Sequence, residues 1–290
     1  MKIATVPCTI CTVCGYTIDP SPEDTALRLY RCRNCGHVFK NLPKEKQERY
    51  ERGYFIEEHK NWFVNPDYPL FDHIYRQMRR LKGPGKIRVL DVGCGNGAFL
   101  KYLRSLDKDL ELYGIDLIDN ESPGITFIKG DIMDCLRDVK YDVVTNLAVI
   151  EHVESPRNFM AKMLEILLPD GVLFTVTDND DSMMYQAARI MKKAGFGEGY
   201  NRLYATHHLQ CFSNRSLREL VMNCGFDIID HRNHNHPVEA VDYPKAGVVK
   251  TALFILATRT IFMVSGLLGN GMLQIAICRK RKGGDRVDAG

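Results

Sequence analysis

At 290 residues the chain has room for one sizeable domain with an appendage or for two modest domains, and its 45% hydrophobic and 26% charged residues fit an ordinary soluble globular protein. A formal net charge of +3 is too small for bulk electrostatics to argue for nucleic acid, and no basic, apolar and small-residue signal opens the chain. Five of its ten cysteines crowd in close pairs into the first 35 residues, which speaks against a secreted disulfide framework and for metal binding in a reducing compartment, so a cytoplasmic location is expected.

Residues 1–42 are read as a separate small module. Cys11-Thr12-Val13-Cys14-Gly15 and Cys32-Arg33-Asn34-Cys35-Gly36 are two C-x-x-C-G units separated by 17 residues, a spacing within the range of four-cysteine zinc sites. Two residues between cysteines let both thiolates reach one metal, and the glycine after each pair lets the backbone fold round it. Leu27 to Arg31 alternates like a strand entering the second pair, and His37-Val38-Phe39 like one leaving it. The whole resembles a zinc ribbon. Cys11, Cys14, Cys32 and Cys35 are the expected ligands, with Cys8 and His37 as spares. Four ligands leave no open position, so the zinc should be structural, and so short a segment has too little core to fold without a staple. A catalytic zinc, a redox-active pair and an unmetallated loop are the rival readings.

Residues 43–85 read as a helical lid or connector. Aromatics run through Tyr50, Tyr54, Phe55, Trp62, Phe63, Tyr68 and Phe71; Leu70, Ile74, Met78 and Leu81 then recur at helical spacing until Gly83-Pro84-Gly85. The aromatics could equally be packing between the ribbon and the domain that follows.

Residues 86–290 are expected to form the main domain. It opens with an apolar strand that turns through glycines into a helix, Val89-Leu90-Asp91-Val92-Gly93-Cys94-Gly95-Asn96-Gly97 followed by Ala98-Phe99-Leu100. Such a turn lets a ligand touch bare backbone and the unpaired N–H groups of a helix start. Gly93, Gly95 and Ala98 also satisfy the dinucleotide pattern, so the glycines alone do not name the ligand. Asp91 discriminates: its carboxylate would repel a pyrophosphate and attract a cationic, phosphate-free nucleoside. Here the chain resembles the class I S-adenosylmethionine-dependent methyltransferases. The resemblance implies an α/β fold, a Rossmann-like seven-stranded sheet with its last strand antiparallel, and S-adenosylmethionine as cofactor. It also makes Tyr54, ahead of the first strand, a candidate contact to the cofactor's methionine end.

The later elements carry the family's other landmarks. Leu110 to Asp116 reads as a second strand ending in an acid, so Asp116 is expected to chelate the ribose hydroxyls, with Asp119 as fallback. After the short third strand, Ile125 to Lys129, the resemblance places Asp131 and Ile132 at the adenine. Tyr141 to Leu147 is nearly continuous in apolar residues at its centre, as a strand buried on both faces is, and Asn146 and Leu147 would flank the cofactor. The step Glu151-His152-Val153 follows, with His152 either a general base or a brace for the next helix. Some quinone-pathway relatives have a metal-binding glutamate where this chain has Ala148, so no catalytic metal is expected. Leu167-Leu168-Pro169-Asp170-Gly171 is the turn into strand five. Residues 178–212 form a long insertion read as an acceptor lid, in which His208 matches the family's His-x-x-x-Phe-Ser histidine and is the other candidate base, ahead of His207.

Phe226 to His231 is strand six, His231, His234 and His236 are read as a polar loop with no acid nearby, Met272 to Cys278 is strand seven, and Arg279 to Lys282 a disordered basic tail. Val248 to Leu268 is apolar but interrupted by Lys250 and Arg259, and a charge at mid-bilayer costs about 2.5–3.5 kcal/mol. It is expected to be an amphipathic helix that packs on the domain, or else meets a membrane surface or a partner. The sequence therefore points to methyl transfer onto a small-molecule or glycan acceptor, such as a sugar, a lipid-linked saccharide or a natural product. An RNA methyltransferase gripping its substrate through the ribbon and a non-catalytic cofactor-binding scaffold are the alternatives.

Overall fold

The computed structural model describes residues 9–40, 61, 64–135, 139–204, 207–241, 243 and 247–282. Two short antiparallel hairpins come first, β1 (Thr9–Ile10) with β2 (Thr17–Ile18) and β3 (Leu29–Arg31) with β4 (Val38–Lys40). Each encloses one C-x-x-C-G unit. Helix α1 (Tyr68–Lys82) follows, its start fixed by the Asp67 carboxylate, which accepts from the Leu70 N–H at 3.0 Å, and by a proline in its first turn. The predicted apolar stripe is the one it buries: Leu70, Ile74 and Met78, each worth about 1.5–3 kcal/mol when taken out of water.

The main domain continues as β5 (Ile87–Val92), α2 (Ala98–Leu106), β6 (Leu110–Asp116), β7 (Ile125–Lys129), β8 (Tyr141–Leu147), a single 3₁₀ turn (Ile150–His152), α3 (Pro156–Ile166) and β9 (Leu167–Asp178). Then come α4 (Met183–Lys193), α5 (Glu198–Leu203), β10 (Gln210–Cys211), α6 (Asn214–Asn223), β11 (Phe226–His234), a second 3₁₀ turn (Val238–Ala240), α7 (Val248–Leu268) and β12 (Leu273–Lys280). Seven of these strands form one sheet in the order β11-β12-β9-β8-β5-β6-β7. All neighbours run parallel except β12, which is antiparallel to both β9 and β11. This is the Rossmann-like sheet expected from the sequence. The chain proceeds from β5 outward through β6 and β7 and then returns to β8 on the other side of β5. The carboxyl ends of β5 and β8 therefore diverge into a crevice, where ligands bind in open α/β sheets.

Two apolar layers sandwich the sheet. α1 and α2 cover one face, with Phe71 and Phe99 rings 5.2 Å apart; α3 and α6 cover the other through Phe159, Met163, Leu217 and Val221. The expected Pro-Asp-Gly turn lies inside β9: Tyr141 pairs with Leu167 and Val143 with Val172, so residues 168–171 loop out of the ladder while the strand continues.

Several local expectations need correction. β11 extends to His234, so His231 and His234 lie in a strand; and an acid does sit near, since His234 Nε2 is 2.8 Å from Asp67 Oδ2. Arg279 and Lys280 complete β12, and Arg281 donates to the carbonyls of Met222 and Phe226, so this basic stretch is ordered rather than a disordered tail. Sheet pairing explains both differences, since each strand is as long as its partner allows. α7 is a helix, as expected, but not an amphipathic one: among its residues Thr258, Phe262 and Ser265 are buried, while Val249, Leu253, Leu256 and Met263 face outward.

Candidate active site

The crevice opens into a cavity of about 1440 Å³, above the usual 300–1,000 Å³ of a single small-ligand pocket and large enough for two ligands side by side. One wall is the turn between β5 and α2. Gly93, Gly95 and Gly97 adopt left-handed φ of 68°, 53° and 73°, and a Cβ on Gly93 would lie 2.4 Å from a Val149 methyl carbon. Glycine is needed there on both counts. The Asp116 carboxylate at the end of β6 accepts from the Gly95 N–H at 2.8 Å and from the Ile118 N–H at 3.0 Å, which holds it at the cavity wall. Asp131 accepts from the Met133 N–H at 2.9 Å, and the Ile132 side chain is buried beside it.

Asp91 sits beneath this turn, 2% exposed, with Thr145 Oγ1 donating to Oδ1 at 2.6 Å. Burial pushes its carboxyl up to about 7; the Thr145 hydrogen bond opposes the rise and the charge of Asp116 adds to it. A cation placed against it would oppose that rise and favour the ionised form.

The facing wall brings together residues distant in sequence. Asp178 ends β9, and its Oδ2 accepts from the Tyr185 hydroxyl at 2.9 Å and lies 3.4 Å from His208 Nδ1. Glu151 is buried beside it and accepts from Thr177 Oγ1 at 2.8 Å. Burial drives both carboxyl groups well above the usual range; the neighbouring Asp178 charge raises Glu151 further, and the Tyr185 hydrogen bond restrains Asp178. His152 donates from Nδ1 to the His207 carbonyl at 3.0 Å and meets the His208 ring edge-on at 4.9 Å. With Nδ1 so engaged, Nε2 bears the lone pair in each neutral ring.

The hairpin module fixes this wall. β4 pairs antiparallel with β10, so the second C-x-x-C-G hairpin, β3–β4, shares a three-stranded sheet with a strand of the main domain, while β1–β2 stays a separate ladder. The Leu209 backbone bridges Glu151 and Lys40, donating to one and accepting from the other at 2.8 Å. Gln210 Oε1 accepts from Thr12 Oγ1 at 2.8 Å and from His37 Nε2 at 2.9 Å, and its Nε2 donates to the Val153 carbonyl. His37 is therefore a strut to Gln210. The segment carrying His208 is thus pinned from both sides.

The Sγ atoms of Cys11, Cys14, Cys32 and Cys35 all lie within 4.8 Å of one another. The Cys11–Cys35 and Cys14–Cys32 separations are 3.5 and 3.6 Å, close to the ~3.8 Å between sulfurs of a tetrahedron with 2.3 Å Zn–S bonds. Gly15 and Gly36, at φ 74° and 78°, donate to the carbonyls of Cys11 and Cys32, giving the two knuckles the same turn. The donor set and spacing fit a closed, four-thiolate zinc site.

Of the residues singled out in the sequence, Asp91, Gly93, Gly95, Asp116, Asp131, Ile132, Leu147, His152 and His208 all line the one cavity. Asn146 does not. Its side chain is buried between β8 and β9, donating to Thr175 Oγ1 at 3.1 Å. The alternation of a strand explains this: Leu147 faces the crevice, so its neighbour faces away. Tyr54 lies outside the described residues. Asp178 is the candidate site residue that sequence reasoning did not single out. The available signal was its position at the carboxyl end of a sheet strand, where ligands gather.

Comparison with known proteins follows this geometry. The family described as "Methyltransferase domain" matches residues 65–231. A ubiquinone biosynthesis O-methyltransferase of Burkholderia thailandensis is 30% identical over 148 residues, covering 46% of this chain and 63% of that protein. A trans-aconitate 2-methyltransferase of Acidovorax sp. (strain JS42) is 28% identical over 120 residues, covering 39% of this chain and 46% of that protein. The matched region thus spans less than two thirds of either relative. The crystal structure of a SAM-dependent methyltransferase from Archaeoglobus fulgidus superposes with a TM-score of 0.52 at 17% identity, covering 78% of this chain and 99% of that one, a likeness of fold.

Proposed function

This chain belongs to the methyltransferase-domain family, and from that premise we propose that it moves the methyl group of S-adenosylmethionine onto a small-molecule acceptor held beside His208. The observation that carries the reading is the joint lining of one cavity by a buried, cation-seeking carboxyl at Asp91 and a histidine–carboxylate pair at His208 and Asp178. Bound S-adenosylmethionine supplies an electrophilic methyl group on a sulfonium. Asp91 faces the cationic part of the cofactor, the bare backbone at Gly93 and Gly95 admits it closely, Asp116 accepts the ribose hydroxyls, and Asp131 with Ile132 borders the adenine.

The acceptor presents a hydroxyl to the opposite wall. As the oxygen–carbon bond forms and the sulfur–carbon bond breaks, the hydroxyl proton passes to His208 Nε2, and Asp178 steadies the imidazolium through Nδ1. His152, braced by the His207 carbonyl, holds the His208 ring edge. Most of the acceleration comes from alignment of the methyl group with the acceptor in the cavity. Relatives named for O-methylation in ubiquinone biosynthesis and for methylation of trans-aconitate favour a small molecule over a nucleic acid. Within that class we place a sugar, a lipid-linked saccharide or a natural product first. In the amino-terminal module a structural zinc on Cys11, Cys14, Cys32 and Cys35 holds the ribbon that pins the His208 segment.

Incubation with methyl-labelled S-adenosylmethionine and fractionated cell extract tests this reading. Label should enter the small-solute or lipid-soluble fraction; label confined to RNA or protein, or absent from every fraction, would contradict it.

A further inference from the structure

α7 is apolar on faces that the fold leaves open. Three stripes run along it at helical spacing. Thr258, Phe262 and Ser265 pack on the domain, where the Asn235 amide donates to the Phe262 carbonyl and to Ser265 Oγ. Lys250, Phe254, Ala257 and Ile261 line the cavity. Val249, Leu253, Leu256, Met263 and Leu267 make the third stripe, each between 62 and 83% exposed. α4 packs against α7, and Ile190, Met191 and Phe196 are exposed at and just beyond its end. Such a continuous apolar face along a helix about 30 Å long exceeds what soluble monomers ordinarily show to water.

Charge narrows what covers it. Neither α4 nor α7 contains an Asp or Glu, so the charges they supply are Arg189, Lys192, Lys193, Lys250 and Arg259, all positive. Lys250 and Arg259 have side chains more than half exposed. Arg189 pairs with Asp180, Lys192 with Asp24, Lys250 with Glu198 and Arg259 with Glu239, but the last two pairs are exposed and therefore weak. Lys193 is exposed with no ion pair among the described residues, so Lys193, Lys250 and Arg259 can meet lipid phosphates beside the apolar face.

α7 is long and apolar enough to cross a membrane, yet it is tied down along its length. Lys250 pairs with Glu198 of α5 at 2.7 Å near its start. Just beyond its end, the Met272 N–H donates to Asn235 Oδ1 and its carbonyl accepts from the Asn179 N–H. With both ends anchored to the same domain, it lies along the surface.

We propose that the outer stripe of α7, with the end of α4, is an in-plane docking surface for an anionic lipid bilayer. Met191 and Phe196 both line the cavity and stand exposed, so the cavity reaches this surface. On the methyltransferase reading, an acceptor with an apolar tail enters there.

The test is flotation of the full chain, without cofactor, on vesicles of mixed phosphatidylglycerol and phosphatidylcholine and on phosphatidylcholine alone. Binding should favour the anionic vesicles. The double variant Leu256→Glu/Met263→Glu should bind about tenfold more weakly or worse, with S-adenosylhomocysteine affinity and circular dichroism unchanged. Should that variant misfold, Leu256→Trp supplies the readout, its indole emission shifting to the blue on anionic vesicles. A chain that stays in the aqueous layer, a double variant that folds and floats like the parent, or an indole emission that does not move would overturn the proposal. So would a stable dimer in sedimentation that the double variant dissolves, which would assign this face to a second copy. Because no cofactor is present, failure here leaves the methyl-transfer reading standing.

Discussion

Asp91 carries opposite consequences for stability and for binding. Its folded carboxyl titrates at about 7 against an ordinary 3.8, so between those values the unfolded chain has released a proton that the folded one retains. Asp91 thus supports the ligand-free fold below about pH 4, and that support is lost as pH rises through 7, at about 1.36 kcal/mol for each pH step of one between the two values. Asp91→Asn removes this slope. Urea unfolding of the ligand-free proteins should show the variant gaining on the parent between pH 5 and pH 8, while calorimetry shows its affinity for S-adenosylmethionine falling by about 2–5 kcal/mol. Equal pH slopes would show that Asp91 is not held protonated in the fold.

His208→Gln keeps size and hydrogen bonding but cannot accept a proton. It should lower turnover by about 10²–10⁴-fold with cofactor affinity intact, and Asp178→Asn should shift the pH profile of turnover without reproducing the full loss. Unchanged turnover in His208→Gln would remove it as the base. Asp91, Asp116 and His208 were legible because each stands in a short motif. Asp178 was not, because what marks it is its distance to His208, set by the pairing of β9 with strands far from it in sequence.

Among the elements, the cysteine hairpins do more than fold themselves. β4 holds β10 in a two-residue ladder, and Leu209 is hydrogen-bonded on one side to Lys40 and on the other to Glu151. Extraction of zinc by a chelator, or Cys32→Ser, should therefore lower turnover more than cofactor affinity, since the glycine turn lies on the other wall of the cavity. Hydrogen exchange should quicken at 207–211 while β5 and α2 stay protected. Equal losses of turnover and affinity would mean that the module serves global stability instead. The sequence showed the two knuckles and their glycines, since metal-ligand spacing is local. It did not show that His37 reaches Gln210, 173 residues away.

On the scale of the whole molecule, the seven-stranded order came from the resemblance to the methyltransferase family, while the apolar runs marked individual strands, because strands buried on both faces are near-continuous in apolar residues. Strand lengths at the sheet's edge were misjudged where partners decide them, as at His234 and Lys280. Only the amphipathic character expected of α7 was misjudged, because a period count weighs apolar residues alike, whether the fold, the cavity or something outside covers them.

All of this rests on a sheet-edge turn that selects a cationic, phosphate-free nucleoside. Isothermal titration of the full chain with S-adenosylmethionine and, separately, with a nicotinamide dinucleotide tests that selection directly. The predicted result is saturable binding of the sulfonium compound with proton release near neutral pH as Asp91 ionises, and no heat from the dinucleotide. Binding of the dinucleotide, with none of S-adenosylmethionine, would contradict the account.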